Sequence, residues 1–268
     1  MKGFNMAASK PLWQPSHDRI VSTNLHHFMT KVSDETDLEI RDYRELYQWS
    51  ITDPSSFWRH VIQFSGLQAS SWGELGLVDG ETMRDARWFP DATLNFAENL
   101  LRRQDKTDAI ISLGEGKIQR RTSWHDLHGR VAVLSEALRD FGIKPGDRIT
   151  GFLPNIPEAI IWFLAAASRG AIWSSCSPDF GVSGVLERFS QIKPKVLITC
   201  DYYFYNGKKV NILEKIPDII NKIKSIKKVI IFSYENKLTA NINFDYTDFS
   251  KIIETEDVDE VFIEHEFN

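Results

Sequence analysis

An α/β fold with a mostly parallel sheet, helices on both faces and a helical module in front of it is the class that the sequence predicts. Three observations lead there. From Arg148 to Phe232, short β-branched runs alternate with helical stripes, the pattern of βαβ crossovers. Caps, prolines and glycines punctuate those stripes where helices should start and stop. The composition, 42% hydrophobic and 26% charged, is sufficient to bury a core.

In chain order, residues 1–41 mix Pro11, Trp13, Pro15, His26 and His27 without a sustained period. They read as an extension, disordered at its start, that lies over something larger. Residues 42–101 read as a helical module. Tyr43, Leu46, Tyr47 and Ser50 share one helical face, and Asp53 caps a second helix with Pro54 at its first position and Phe57, Trp58, Val61 and Ile62 along it. The stretch from Gly66 to Pro90, rich in Gly and Trp, suits a connection anchored by aromatics, and Thr93 to Leu101 reads as a short helix.

Residues 102–268 read as the α/β domain. Ala109–Leu113 and Lys117–Arg121 flank Gly114-Glu115-Gly116 as a hairpin. Ser123 and Asp126 form a capping box for a helix with the stripe Trp124, Leu127, Val131, Leu134 and Leu138, closed by Gly142 and Pro145. Strand Arg148–Leu153, helix Pro157–Arg169, strand Ala171–Ser175, helix Ser183–Ile192, strand Val196–Cys200, helix Ile212–Ile223 and strand Val229–Phe232 follow in turn. Beyond Phe232 the chain becomes acidic (Glu254, Glu256, Asp257, Asp259, Glu260), with Phe249, Ile252 and Ile253 as a helical patch. No internal repeat occurs.

The bulk properties narrow the function. A net charge of −5 opposes a general grip on nucleic acid. Cys176 and Cys200 are too few for a disulfide framework and too far apart for a metal-binding pair, which suits the reducing cytoplasm. No apolar run approaches the ~20 residues that span a bilayer, and the N-terminus lacks a signal-peptide core.

Several local patterns resemble chemistry and have plainer readings. His125 and His128 sit three apart on a helix, a spacing that could share a metal, but no carboxylate or cysteine is placed to complete the site. Gly181-Val182-Ser183-Gly184 departs from the Gly-x-Ser-x-Gly nucleophile elbow, and Ser183 fits a helix N-cap instead. Gly114-x-Gly116 lacks the third glycine of a dinucleotide fingerprint and reads as a turn. Ser174-Ser175-Cys176-Ser177-Pro178 lies at the C-terminal end of a parallel strand, where ligands of open α/β sheets gather; it is equally a polar exit from the sheet. Lys208 and Lys209 follow Tyr205-Asn206-Gly207 in a loop after another parallel strand, where an ammonium could meet a ligand phosphate or simply face water, as several of Lys193, Lys195, Lys215, Lys222, Lys224, Lys227 and Lys228 do.

Longer words carry a resemblance. Leu46-Tyr47-Gln48-Trp49-Ser50, Asp53-Pro54 and Phe57-Trp58, then the run Trp88-Phe89-Pro90-Asp91-Ala92-Thr93-Leu94-Asn95-Phe96-Ala97-Glu98-Asn99-Leu100-Leu101, resemble the N-terminal module of AMP-forming acyl-CoA synthetases. The ending Ala-Glu-Asn-Leu-Leu favours the acetoacetyl branch. Thr122-Ser123-Trp124-His125-Asp126-Leu127, Gly146-Asp147-Arg148, Pro154-Asn155-Ile156-Pro157-Glu158 and Arg169-Gly170-Ala171 follow the adenylate-forming family in the same order. The resemblance covers about residues 42–232 and implies the first part of that family's large N-terminal domain.

By that resemblance the complete enzyme would use ATP, CoA and Mg²⁺ to join acetoacetate, or another short carboxylic acid such as acetate or propionate, to coenzyme A, in lipid and ketone-body metabolism. It implies that Tyr205, Asn206, Gly207 and Lys208 contact the nucleotide end of CoA, with Lys208 keeping one positive charge and Tyr205 replacing another. A triphosphate is usually held by a Gly-rich loop; none occurs in the sequence, and no catalytic residue is assigned. The chain read by itself is therefore expected to be an inactive, aggregation-prone portion of such a ligase, or else a non-catalytic CoA- or partner-binding protein.

Overall fold

A computed structural model describes residues 11–115, 119–233, 238, 242–253 and 265–266. They divide into two compact units. One holds the described residues up to Leu67 together with Trp72–Ala92, and the other holds Gln68–Ser71 with Thr93–Glu266.

The first unit contains α1 (His17–Val21), α2 (Asn24–Glu35), α3 (Tyr43–Thr52), α4 (Pro54–Ser65) and a small ribbon, β1 (Leu77–Val78) with β2 (Arg87–Trp88). Two helices thus occupy the stretch read as a patternless extension. Each is started by a hydroxyl: Ser16 accepts the N–H of Arg19, and Thr23 that of His26. α2 places Phe28, Met29 and Val32 in a buried cluster with Ile40, Leu46 and Trp49. The expected disordered start falls on residues 1–10, outside the described residues.

The buried face of α3 also differs from the expectation. Leu46 and Trp49 point inward, while Tyr43 and Tyr47 are 66% and 52% exposed. Both stripes obey helical spacing, and the indole buries more apolar area than either phenol. Around α4 the expectation holds: Asp53 accepts the N–H of Ser56, Pro54 opens the helix, and Gly66 ends it in the left-handed region at φ +64°.

The second unit is the α/β body. It begins with β3 (Thr93–Leu94), α5 (Phe96–Leu100), β4 (Asp108–Leu113), β5 (Gln119–Ser123), α6 (Trp124–Asp140), β6 (Arg148–Phe152), α7 (Pro157–Ser168) and β7 (Ile172–Cys176). It continues through α8 (Val182–Ile192), β8 (Val196–Cys200), β9 (Tyr202–Tyr205), β10 (Lys208–Asn211), α9 (Ile216–Lys222), β11 (Lys228–Phe232), β12 (Thr247–Asp248), α10 (Phe249–Ile253) and β13 (His265–Glu266), which pairs with β3. The main sheet has five parallel strands in the order β12-β11-β8-β6-β7. α6, α7 and α10 pack together, and so do α8 and α9; right-handed crossovers put these groups on opposite faces. Ile149, Phe152, Trp162, Phe189 and all of β8 are buried between them.

Three boundaries move for local reasons. The helix expected from Thr93 begins only at Phe96, because the Asn95 side chain accepts the N–H groups of Ala97 and Glu98 while Thr93 and Leu94 pair as a strand. Ser183 lies inside α8 rather than capping it; Gly181 holds the cap position. The helix expected from Ile212 opens as a 3-10 turn, Leu213–Lys215, before α9, because Pro217 has no N–H to give to an α-helix running through from Ile212.

Candidate functional site

The chain leaving β6 runs through α7 to β7 on one side of the sheet, whereas the chain leaving β8 runs through α9 to β11 on the other. Adjacent parallel strands whose connections part to opposite faces leave a crevice outside their C-terminal ends. A cleft of about 120 Å³ lies there, with Glu115, Arg120, Asn155, Tyr203 and Phe204 in its wall.

One wall is an ion pair. Arg120, on β5, donates to both carboxylate oxygens of Glu158 at 2.6 and 2.9 Å. Glu158 is only 2% exposed and sits in the first turn of α7, where the helix dipole also favours an anion. The guanidinium lies over the Phe232 ring at the end of β11.

A second polar group closes the exit from β7. The Tyr203 hydroxyl donates to Asp179 at 2.6 Å, and Ser177 donates to the other Asp179 oxygen at 2.8 Å. The Tyr203 hydrogen bond, then that of Ser177, holds the Asp179 carboxyl below its ordinary range, aided by the charge of Lys215. Burial, followed by that carboxylate, pushes Tyr203 up to about 12. Ser177 therefore serves the turn, and β7 is the edge strand. Burial raises Cys176 to about 11 and Cys200 well above its ordinary value, so neither is an activated thiol. Among the lysines of this basic region, Lys215 donates to the carbonyls of Pro178 and Phe180, and Lys195 to Asp147.

Tyr205, Asn206, Gly207 and Lys208, expected as a loop, form the tip of the antiparallel hairpin β9–β10. Asn206 and Gly207 have φ of +49° and +72°, a two-residue turn of the kind Asn-Gly favours between strands. The signal lies in the sequence, in Asn-Gly between Tyr-Tyr-Phe-Tyr and Lys-Lys-Val-Asn. Tyr205 and Lys208 pair across the turn, and both are exposed. The Lys209 ammonium lies 3.6 Å over the Tyr202 ring, whereas Lys208 makes no ion pair among the described residues.

Glu115, seen in the sequence only as the middle of a turn, reaches this tip. Its two carboxylate oxygens accept the backbone N–H groups of Asn206 and Gly207 at 3.0 and 2.7 Å. No local pattern links positions 91 residues apart. His128 is buried against the carbonyl of Leu101, and the described residues contain no group of three His, Cys, Asp or Glu able to hold a metal.

Comparison with known proteins follows the two units only loosely. Residues 96–259 match the family described as AMP-binding enzyme, and residues 43–100 the one described as acetyl-coenzyme A synthetase N-terminus. The chain is 44% identical over 223 residues to an acetoacetyl-coenzyme A synthetase of Rhizobium meliloti (strain 1021), covering 83% of this chain and 33% of that protein. It is 36% identical over 228 residues to a malonamoyl-CoA synthetase of Penicillium aethiopicum, covering 82% and 31%. The solved structure of an acetoacetyl-CoA synthetase from Streptomyces lividans superposes with a TM-score of 0.89 at 32% identity, over 97% of this chain and 40% of that one. The chain thus spans about a third of the length of the curated relatives it matches.

Proposed function

Because the chain belongs to the AMP-binding enzyme family, we propose that it is the N-terminal part of an acetoacetate–CoA ligase, which makes acetoacetyl-CoA, AMP and pyrophosphate from acetoacetate, ATP and CoA. The observation that carries this reading is the likeness, over 97% of the chain, to an acetoacetyl-CoA synthetase structure.

In the reaction proposed for the complete enzyme, a carboxylate oxygen attacks the α-phosphorus of ATP. The new P–O bond forms as the bond to pyrophosphate breaks, leaving an acyl-adenylate. The CoA sulfur then attacks the acyl carbon, forming the thioester as the C–O bond to AMP breaks and the thiol proton is released. This chain contributes the sheet, the switch-point cleft and a CoA-facing turn. Tyr205, Asn206, Gly207 and Lys208 are the proposed contacts with the nucleotide end of CoA, supported by the exposure of Lys208 and its lack of an ion-pair partner among the described residues. The adenylation step is assigned to no residue here, and no step is assigned to Mg²⁺.

Acetoacetate and malonamate share a carbonyl β to the carboxylate, so relatives named for both point to a 3-oxo acid rather than acetate or propionate. A cytoplasmic setting is supported by Cys176 and Cys200, both free and buried, and the net charge of −5 supports small-molecule rather than nucleic-acid partners. Pyrophosphate release by the complete enzyme, measured with ATP, CoA and each acid in turn, tests the reading. The highest kcat/KM is expected with acetoacetate; a preference for acetate or propionate, or no acid-dependent release, overturns it.

A further inference from the structure

The Asn206–Gly207 turn points two adjacent backbone N–H groups at one carboxylate, that of Glu115, at 3.0 and 2.7 Å. Backbone donors converging in this way form a concavity for anions. The anion found there belongs to the chain itself, comes from the β4–β5 connection 91 residues away, and is exposed to solvent on a residue that also walls the switch-point cleft. The next residue, Lys208, is exposed, makes no ion pair among the described residues and adds positive charge at the same tip.

We propose that the Asn206–Gly207 turn is a phosphoryl-binding site which Glu115 occupies in the ligand-free protein, so that an incoming phosphoryl group must displace Glu115 to bind. The exchange is chemically simple: two N–H donors pass from a carboxylate to a phosphoryl oxygen, and the hairpin is freed from the β4–β5 connection as the ligand takes hold. Glu115 thereby lowers affinity for free inorganic phosphate, while a larger ligand with contacts elsewhere can still displace it. The inference rests on the proposed CoA contact only for the identity of the phosphoryl carrier.

Titration of the full chain with inorganic phosphate, followed by the amide resonances of Asn206 and Gly207, tests it. Both amides should shift on binding, and Glu115→Ala should bind phosphate about three- to fivefold more tightly than the parent, the scale of an exposed charge-assisted contact removed from competition. Glu115→Gln, which keeps the size and loses the charge, should move the same way and serves if the alanine variant folds poorly. Equal affinity in parent and variants, or phosphate leaving those two amides unmoved, overturns the proposal. A parallel titration with CoA separates the two readings: phosphate binding without CoA binding would leave the anion site standing and remove the CoA contact.

Discussion

At the N-terminal end of the five-stranded sheet, Lys195 holds Asp147 at 2.6 Å, and Arg148 donates to the carbonyls of Ile192 and Lys193. At the C-terminal end, Arg120 grips Glu158, and the polar groups around them border a cleft. Both ends use an Arg or Lys against a carboxylate, yet the Lys195 and Asp147 side chains are 43% and 11% exposed while those of Arg120 and Glu158 are 32% and 2% exposed. At the first end cations tie strands to the chain's own carbonyls. At the second, donors of the β9–β10 turn remain at the surface beside a half-buried ion pair. The same pairing of a cation with a carboxylate is thus more deeply buried at the end of the sheet that borders the cleft.

The largest test of that contrast is Glu158→Ala. It leaves the Arg120 guanidinium, already stacked over Phe232, without its partner, and should lower unfolding stability by about 3 kcal/mol in chemical denaturation. A loss below about 1 kcal/mol would make this pair no different from a surface one. Gly207→Ala comes next. A Cβ there meets no atom within 4 Å, so the cost is that of φ +72° alone, about 1 kcal/mol by thermal denaturation.

At the opposite end, Lys195→Ala should cost less than about 1 kcal/mol because the ammonium is largely solvated. Its pH dependence is the sharper measurement. Burial works to raise the Asp147 carboxyl, but the Lys195 hydrogen bond, the Lys144 N–H and the nearby charges outweigh it and hold it below its ordinary value. The stabilisation is therefore complete above the unfolded carboxylate pKa and disappears as pH falls through the lowered folded value. Denaturation midpoints of parent and variant should converge in acid; a gap that persists there would mean the lysine acts by packing. Smallest in stability is Lys208→Ala, expected within about 0.5 kcal/mol, together with weaker CoA binding in the complete enzyme. Unchanged CoA affinity would detach this lysine from the ligand.

Much of the second unit was legible in the sequence because its signals span only a few residues. Ser123 caps α6 through the Asp126 N–H, Gly142 follows that helix at φ +73°, and β8 occupies Val196–Cys200 as its apolar run indicates. The β9–β10 hairpin is legible too, in the Asn-Gly pair between two four-residue strands. The first unit was harder. α1 and α2 lie where polar, proline and aromatic residues mask any period, and on α3 two helical stripes compete, so its buried face depends on Phe28, Val32 and Ile40 arriving from elsewhere in the chain.

The sequence by itself determined the class of fold, the order of the main strands and helices of the second unit and the family, because caps, turns and apolar runs act through neighbours within one or two helical turns. Tertiary structure alone decided the strand order β12-β11-β8-β6-β7, and with it the place of the cleft between β6 and β8. It also decided that Glu115 meets Asn206 and Gly207. Strand order and that contact depend on which distant segments pack together, and no local periodicity encodes a separation of 91 residues.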